Sequence, residues 1–240
     1  MHELLLYGQV PATRHEQVLE ILTGIAAMQP RTLLERQFVY RPTRPAEDNK
    51  PNKKYPNKPV KPQALIHHQL IEELGQGDFG KERPLSDFQG TEPRSWTLKS
   101  QETPEPETKT LVLRLTSEVD VTDDTMQAIL NPVQNAFVTE SIAEGHRLVH
   151  GNVVITLYRL LRLTDQPQNT PSTVLPPLES LLPLDPSGAL VLEARVRIDD
   201  RTKPTLVSAA SEELISFRDL LKGSVEMKVP ERLALDTRVK

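Results

Sequence analysis

The stretch Gly145-His146-Arg147-Leu148-Val149-His150-Gly151-Asn152-Val153-Val154-Ile155-Thr156-Leu157 decides the fold. It lies inside two long runs of aliphatic and β-branched residues, Ala136 to Val149 and Val153 to Leu163, joined by His150-Gly151-Asn152. Two such runs around a glycine-containing turn predict a long β-hairpin. The second arm carries Val153, Ile155, Leu157, Leu161 and Leu163 on one side, and Val154, Tyr158 and Leu160 on the other. A strand apolar on both faces has to be covered on both.

Working outward, further segments show the same period of two. Leu111, Leu113 and Leu115 alternate with Val112, Arg114 and Thr116. Between Ala189 and Ile198 the apolar set Leu190, Leu192, Ala194, Val196 and Ile198 is expected to face inward, with Glu193, Arg195 and Arg197 facing out. Glu3 to Val10, stopped by Pro11, reads as an initial strand, and Thr32 to Tyr40 as a second extended segment. Between them Thr13-Arg14-His15-Glu16 matches a capping box. Val18, Leu22 and Ile25 follow at helical spacing, predicting an amphipathic helix that ends near Met28. Ala64 to Leu74, closed by Gly75, is apolar but fits either strand or helix. Pro204 suits the first turn of a helix running to Lys222, with Gly223 as its stop and Leu206, Ala210, Leu214, Phe217 and Leu221 as its apolar stripe. The class is α+β: mostly antiparallel strands with two or three helices, and no repeat at a period of 20–50 residues.

Composition excludes several chemistries. The 240 residues contain no cysteine, which removes disulfide scaffolds, cysteine-ligated metals and thiol nucleophiles. No apolar run approaches the roughly 18 residues of a membrane span. The start, Met1-His2-Glu3-Leu4-Leu5-Leu6-Tyr7, lacks the basic region and cleavage site of a signal peptide, so an intracellular protein is the expectation.

The 21 prolines mark where regular structure cannot run. Residues 41–62 hold six of them with almost nothing to bury, and read as a disordered Lys/Pro-rich insertion. Seven basic side chains against two acidic ones give this stretch five surplus positive charges, leaving the remainder at −9 against a whole-chain charge of −4. An acidic body opposes a phosphate-gripping face, so no sequence-specific nucleic-acid binding is expected. Residues 92–107 and 166–186 read as proline-rich loops.

Several strings resemble catalytic motifs. Gly75-Gln76-Gly77-Asp78-Phe79-Gly80 matches a dinucleotide-binding pattern, but that chemistry needs a helix directly after it, and Pro84 forbids one. Asp78-Phe79-Gly80 has neither of the companion motifs of a kinase. Glu105-Pro106-Glu107-Thr108-Lys109 has the alternation by which a tunnel-shaped triphosphatase would aim carboxylates at a metal and a lysine at a phosphate. A tunnel also needs inward charges on several strands, whereas these strands read as filled inward with leucine and valine. His67-His68 and the His146/His150 pair are the metal suspects; on a strand the latter two lie about 13 Å apart, too far to share an ion. No G-x-S-x-G elbow supports a serine nucleophile. No catalytic, cofactor-binding or metal residue is therefore assigned, and the residues of any protein interface are left open.

Taken together, Met1-His2-Glu3-Leu4-Leu5-Leu6, Arg14-His15-Glu16-Gln17-Val18-Leu19 with Met28-Gln29-Pro30, Gly145 to Val154, Leu220-Leu221-Lys222-Gly223 and Pro230 to Val239 resemble the fungal subunit 18 family of the Mediator head module. The resemblance implies one antiparallel β-barrel domain over residues 1–240, flanked by helices, in a nuclear coactivator that relays signals from transcription factors to RNA polymerase II. It further implies a heterodimer with Mediator subunit 20, capture of a C-terminal helix of subunit 8, contacts with other head-module subunits, and no cofactor. The alternative of another class is a metal-dependent triphosphatase of tunnel shape.

Overall fold

A computed structural model describes residues 1–43, 65–88, 94–106, 110–163 and 169–239. Its elements in chain order are β1 (His2–Val10), α1 (His15–Ala26), β2 (Arg31–Pro42), β3 (His68–Glu73), β4 (Lys81–Glu82), β5 (Trp96–Gln101), β6 (Val112–Asp120) and α2 (Asp123–Leu130). There follow β7 (Asn135–His150), β8 (Val153–Arg162), β9 (Val174–Leu175), β10 (Leu182–Pro183), β11 (Leu190–Ile198) and α3 (Pro204–Leu220). All pairings are antiparallel, in the order β10-β8-β11-β1-β6-β5-β3-β2-β7, and β7 also pairs with β8. That last pairing, Ile142↔Leu161 through His150↔Val153, closes eight strands into a barrel, with β10 attached beside β8. The predicted hairpin is thus the closing seam. Gly151 adopts φ 60° in its turn. Gly145 is required on β7, because a Cβ there would sit 2.1 Å from the Leu157 carbonyl oxygen.

The face assignment is the reverse of that expected. Leu4, Leu6, Leu192, Ala194, Val196, Ile155 and Leu157 point outward, where α1 and α3 cover them with Val18, Leu22, Ala210, Leu214 and Phe217. Glu193 and Arg195 point into the lumen. Alternation tells which residues share a face; only closure tells which face is inside. Two smaller clusters also lie on the outer surface. Phe38, Tyr40, Leu70 and Trp96 pack under Met126 and Ile129 of α2, while Leu34, Ile142 and Leu161 pack under Leu175 and Leu181.

Other expectations need correction. Thr13 makes no cap: a 3-10 turn over Ala12–Arg14, with the Arg14 amide donating to the Pro11 carbonyl at 2.9 Å, absorbs it, and Arg14 takes the cap position. Helix α1 ends at Ala27 in the left-handed region, φ 51°. In α3 the stripe holds from Ala210 to Leu221, but Leu206 is 41% exposed. The ambiguous segment 64–74 contains strand β3. The loop expected over 92–107 contains β5, whose Trp96 is buried; its prolines fall outside Trp96–Gln101 and remove no ladder donor. Within 166–186, described from residue 169, two short strands and a 3-10 turn over Leu178–Ser180 form, and Leu175 and Leu181 are buried. Of the stretch 41–62, Arg41 and Pro42 complete β2 opposite Ala136 and Asn135, and the rest from residue 44 lies outside the described residues.

Under the segment that follows β3, the outer face of the barrel holds a buried ionic network. Arg36 is fully buried; its Nε donates to Glu140 at 2.6 Å, its Nη1 to the Arg83 carbonyl at 2.8 Å and its Nη2 to the Ser172 carbonyl at 2.6 Å. Arg83 donates to Glu72 at 2.7 Å and to Asp78 at 2.6 Å, and Arg94 lies 3.3 Å from Glu72. Each carboxylate is compensated, which is the condition for holding charge in a low-dielectric interior. Removing one partner strands the others. Arg36→Ala is expected to destabilise the fold by about 3–5 kcal/mol, read from urea midpoints, whereas Arg218→Ala, at a half-buried surface arginine paired with exposed Asp219, should change stability little.

Candidate functional site

The lumen is the largest assembly of chemistry-bearing side chains in the described chain. A cavity of about 320 Å³ is lined by Glu35 and Gln37 of β2, Lys99 and Gln101 of β5, Arg114 of β6, Arg147 of β7, Thr156 and Tyr158 of β8, and Glu193 and Arg195 of β11. Glu3 on β1 is fully buried and bonds to two of these lining residues. Its Oε1 accepts from Arg114 Nε at 2.6 Å and Gln101 Nε2 at 2.8 Å, and Arg195 lies 3.8 Å from its Oε2. Glu118 is shared by Lys99 at 3.5 Å, Arg195 at 3.6 Å and Arg197. Arg147 reaches Glu35 at 3.0 Å.

These charges neutralise one another rather than waiting for a ligand. Burial alone would raise the Glu118 pKa, but Lys99, the Arg197 hydrogen bond and Arg195 outweigh it and hold the carboxyl below its usual range. Burial and then Glu193 push the pKa values of the Tyr7 and Tyr158 hydroxyls upward, so both remain neutral, and Tyr7 accepts from Arg114 at 3.4 Å. The strands are therefore not filled inward with leucine as expected; the charges are present, and among the described residues their mutual pairing leaves no carboxylate cluster open to a metal.

The C-terminal segment closes one mouth. Ala234, Leu235, Asp236 and Thr237 line the lumen. The His67 amide donates to the Thr237 carbonyl at 2.8 Å, the Thr237 hydroxyl to the Gln101 carbonyl, and the Thr103 hydroxyl to Asp236 at 2.9 Å. Sequence patterning gave no sign of this closure, because it is made largely through backbone groups.

The motif residues are separated. Gly75 to Gly80 holds a 3-10 turn over Gln76–Asp78, in which Asp78 accepts from the Gly75 amide at 2.7 Å and from Arg83; β4 follows, not a helix. Glu105 pairs with Arg201, while Glu107, Thr108 and Lys109 lie outside the described residues. His67 contacts the Thr237 carbonyl and His68 the Ser100 hydroxyl at 2.7 Å. His146 stands 5.7 Å from the ring of His15, across the α1–β7 contact, and His150 packs on Phe217 at 6.2 Å. Among the described residues, no group of three or more His, Asp or Glu could hold a metal ion, and no helix is long and apolar enough to cross a membrane.

Two titrations should appear in the stability profile. Burial, then the neighbouring His15, lowers the His146 pKa below 6.5. The unfolded chain takes up that proton first, so stability is full above about pH 6.5 and falls as pH drops below it. The depressed Glu118 adds stability above about pH 4.5 that is lost on further acidification. Burial lowers His68 and His2 in the same way, so urea midpoints against pH should show both steps, and His146→Gln should make the upper one smaller while leaving the lower one unchanged.

The family profile described as "Med18 protein" matches residues 2–238. Proteins named Mediator of RNA polymerase II transcription subunit 18 are similar over their full length and that of this chain: 30% identical over 275 residues in Aspergillus fumigatus, and 31% over 275 residues in Neosartorya fischeri. Among solved structures, a chain of the Schizosaccharomyces pombe Mediator head module matches with a TM-score of 0.67 at 18% identity, covering all of both chains, which establishes likeness of fold.

Proposed function

The chain belongs to the Med18 protein family, and from that premise we propose that it acts in the nucleus as a head-module subunit that pairs with Mediator subunit 20 and captures a C-terminal helix of subunit 8. It is a non-catalytic component of the Mediator coactivator, relaying regulatory signals from transcription factors to RNA polymerase II through protein–protein contacts. The observation that carries this reading is the family match across residues 2–238. The physical chemistry of the lumen supports it. A triphosphatase-like enzyme would need carboxylates free to take a divalent cation, whereas Glu3, Glu35 and Glu118 are each occupied by arginine or lysine.

Closure also changes how partners are bound. A closed barrel pairs its strands around the ring and leaves little exposed edge for strand addition, so contact must fall on the helices, the loops and the uncovered outer face. The subunit 20 heterodimer is tested by mixing the purified chains at micromolar concentration and following size-exclusion elution. One co-migrating peak is expected; two separate peaks would remove the pairing.

A further inference from the structure

The histidines of this chain are not equally satisfied. His67 is met by the Thr237 carbonyl at 3.0 Å and His68 by the Ser100 hydroxyl at 2.7 Å. His15 and His146 instead meet each other, with ring centres 5.7 Å apart and planes inclined at 42°. His15 Nε2 and His146 Nδ1 are both shielded from solvent, and neither has a hydrogen-bond partner. Buried ring nitrogens are ordinarily paired, so two unpaired ones on touching rings call for an explanation.

The pair sits where two distant parts of the chain cross. His15 opens α1, and His146 lies on β7, on the outer face it shares with Leu148, which packs with Val18 and Leu22 of α1. Thr32, opposite His146 on β2, is exposed, so this side of the pair is open to water. Glu144 stands two residues earlier on the same face. It holds Arg159 at 2.8 Å through Oε2 and brings a carboxylate within electrostatic reach of His146. Burial keeps His146 in the neutral form, which is the form that ligates metals.

The separation of the rings matches a shared ion. A zinc–nitrogen bond of about 2.0–2.1 Å, plus about 1.15 Å from nitrogen to ring centre, puts two ligating imidazole centres about 5.2 Å apart at the tetrahedral angle and about 6.4 Å apart when opposed. The observed 5.7 Å lies between these limits. Which nitrogen faces the ion is adjustable, because rotation about the last histidine torsion is broad and soft.

We propose that His15 and His146 together bind one divalent transition ion of the zinc, nickel or copper(II) class, fastening the start of α1 to the closing strand β7. Imidazole suits these ions, and two protein ligands are fewer than the three or four of dedicated zinc centres, so water completes the coordination. Such an ion acts on this chain alone, whatever partners the chain has.

The tag-free full chain, titrated calorimetrically with zinc chloride in a non-chelating buffer at about pH 7.5, where imidazoles are neutral, should take up one ion saturably, and its urea midpoint should rise with zinc. His15→Gln and His146→Gln, each confirmed folded by circular dichroism, should each weaken uptake roughly tenfold or more, whereas His67→Gln should leave it unchanged. Proton and carbon magnetic resonance of the wild-type rings provides a reading that needs no variant: zinc should shift the His15 and His146 signals. No saturable uptake by the wild-type chain, uptake that both variants retain, or shifts confined to other histidines overturns the site.

Discussion

Ring closure by the β7–β8 hairpin is the constraint on which the rest depends. β7 pairs with β2 from Arg31↔Arg147 to Pro42↔Asn135 and with β8 on its other side, so it joins the two halves of the sheet. Without that seam the sheet would be open, and the row Glu3, Glu35, Arg114, Glu193 and Arg195 would lie on an exposed face. With it, Arg114 bonds Glu3 at 2.6 Å, Arg195 comes within 4.0 Å of Glu3 and Glu193, and Arg147 reaches Glu35. Gly145 is part of the constraint, since the two backbones approach too closely there for any side chain.

Closure also explains why the hydrophobic core is divided and external. A barrel whose interior is filled with charge cannot serve as its own core, so apolar residues on the outer face must be buried by something else. Three coverings do this: α1 with α3, α2, and the 174–181 segment. The buried Arg36–Glu140–Glu72–Arg83 network pins the segment after β3 onto the same surface.

This arrangement suits a subunit that works by contact. Paired charges in the lumen give rigidity without a vacant coordination position, and the C-terminal segment ties Leu65–His67 to the barrel mouth, with the Val239 amide donating to the Leu65 carbonyl at 2.8 Å. The strings that mimic enzymes end in structural roles. Asp78 caps its own turn and anchors Arg83, and Glu105 pairs with Arg201.

The sequence by itself determined the elements made by local periodicity and strong punctuation: the hairpin around Gly151, the strands ending at Val10 and Ile198, α1 through Val18 and Leu22, and α3 after Pro204. It also determined, through the absence of cysteine and the position of Pro84, which chemistries were closed. It could not place β5, because Trp96–Gln101 is short and lies between proline-rich flanks, nor α2, whose eight residues carry only Met126 and Ile129 as buried positions. The tertiary structure alone decided which side of each strand is inside. Alternation is symmetric between the two faces of a strand, and only the direction in which the closed sheet curves makes one face the lumen and the other the floor for the helices.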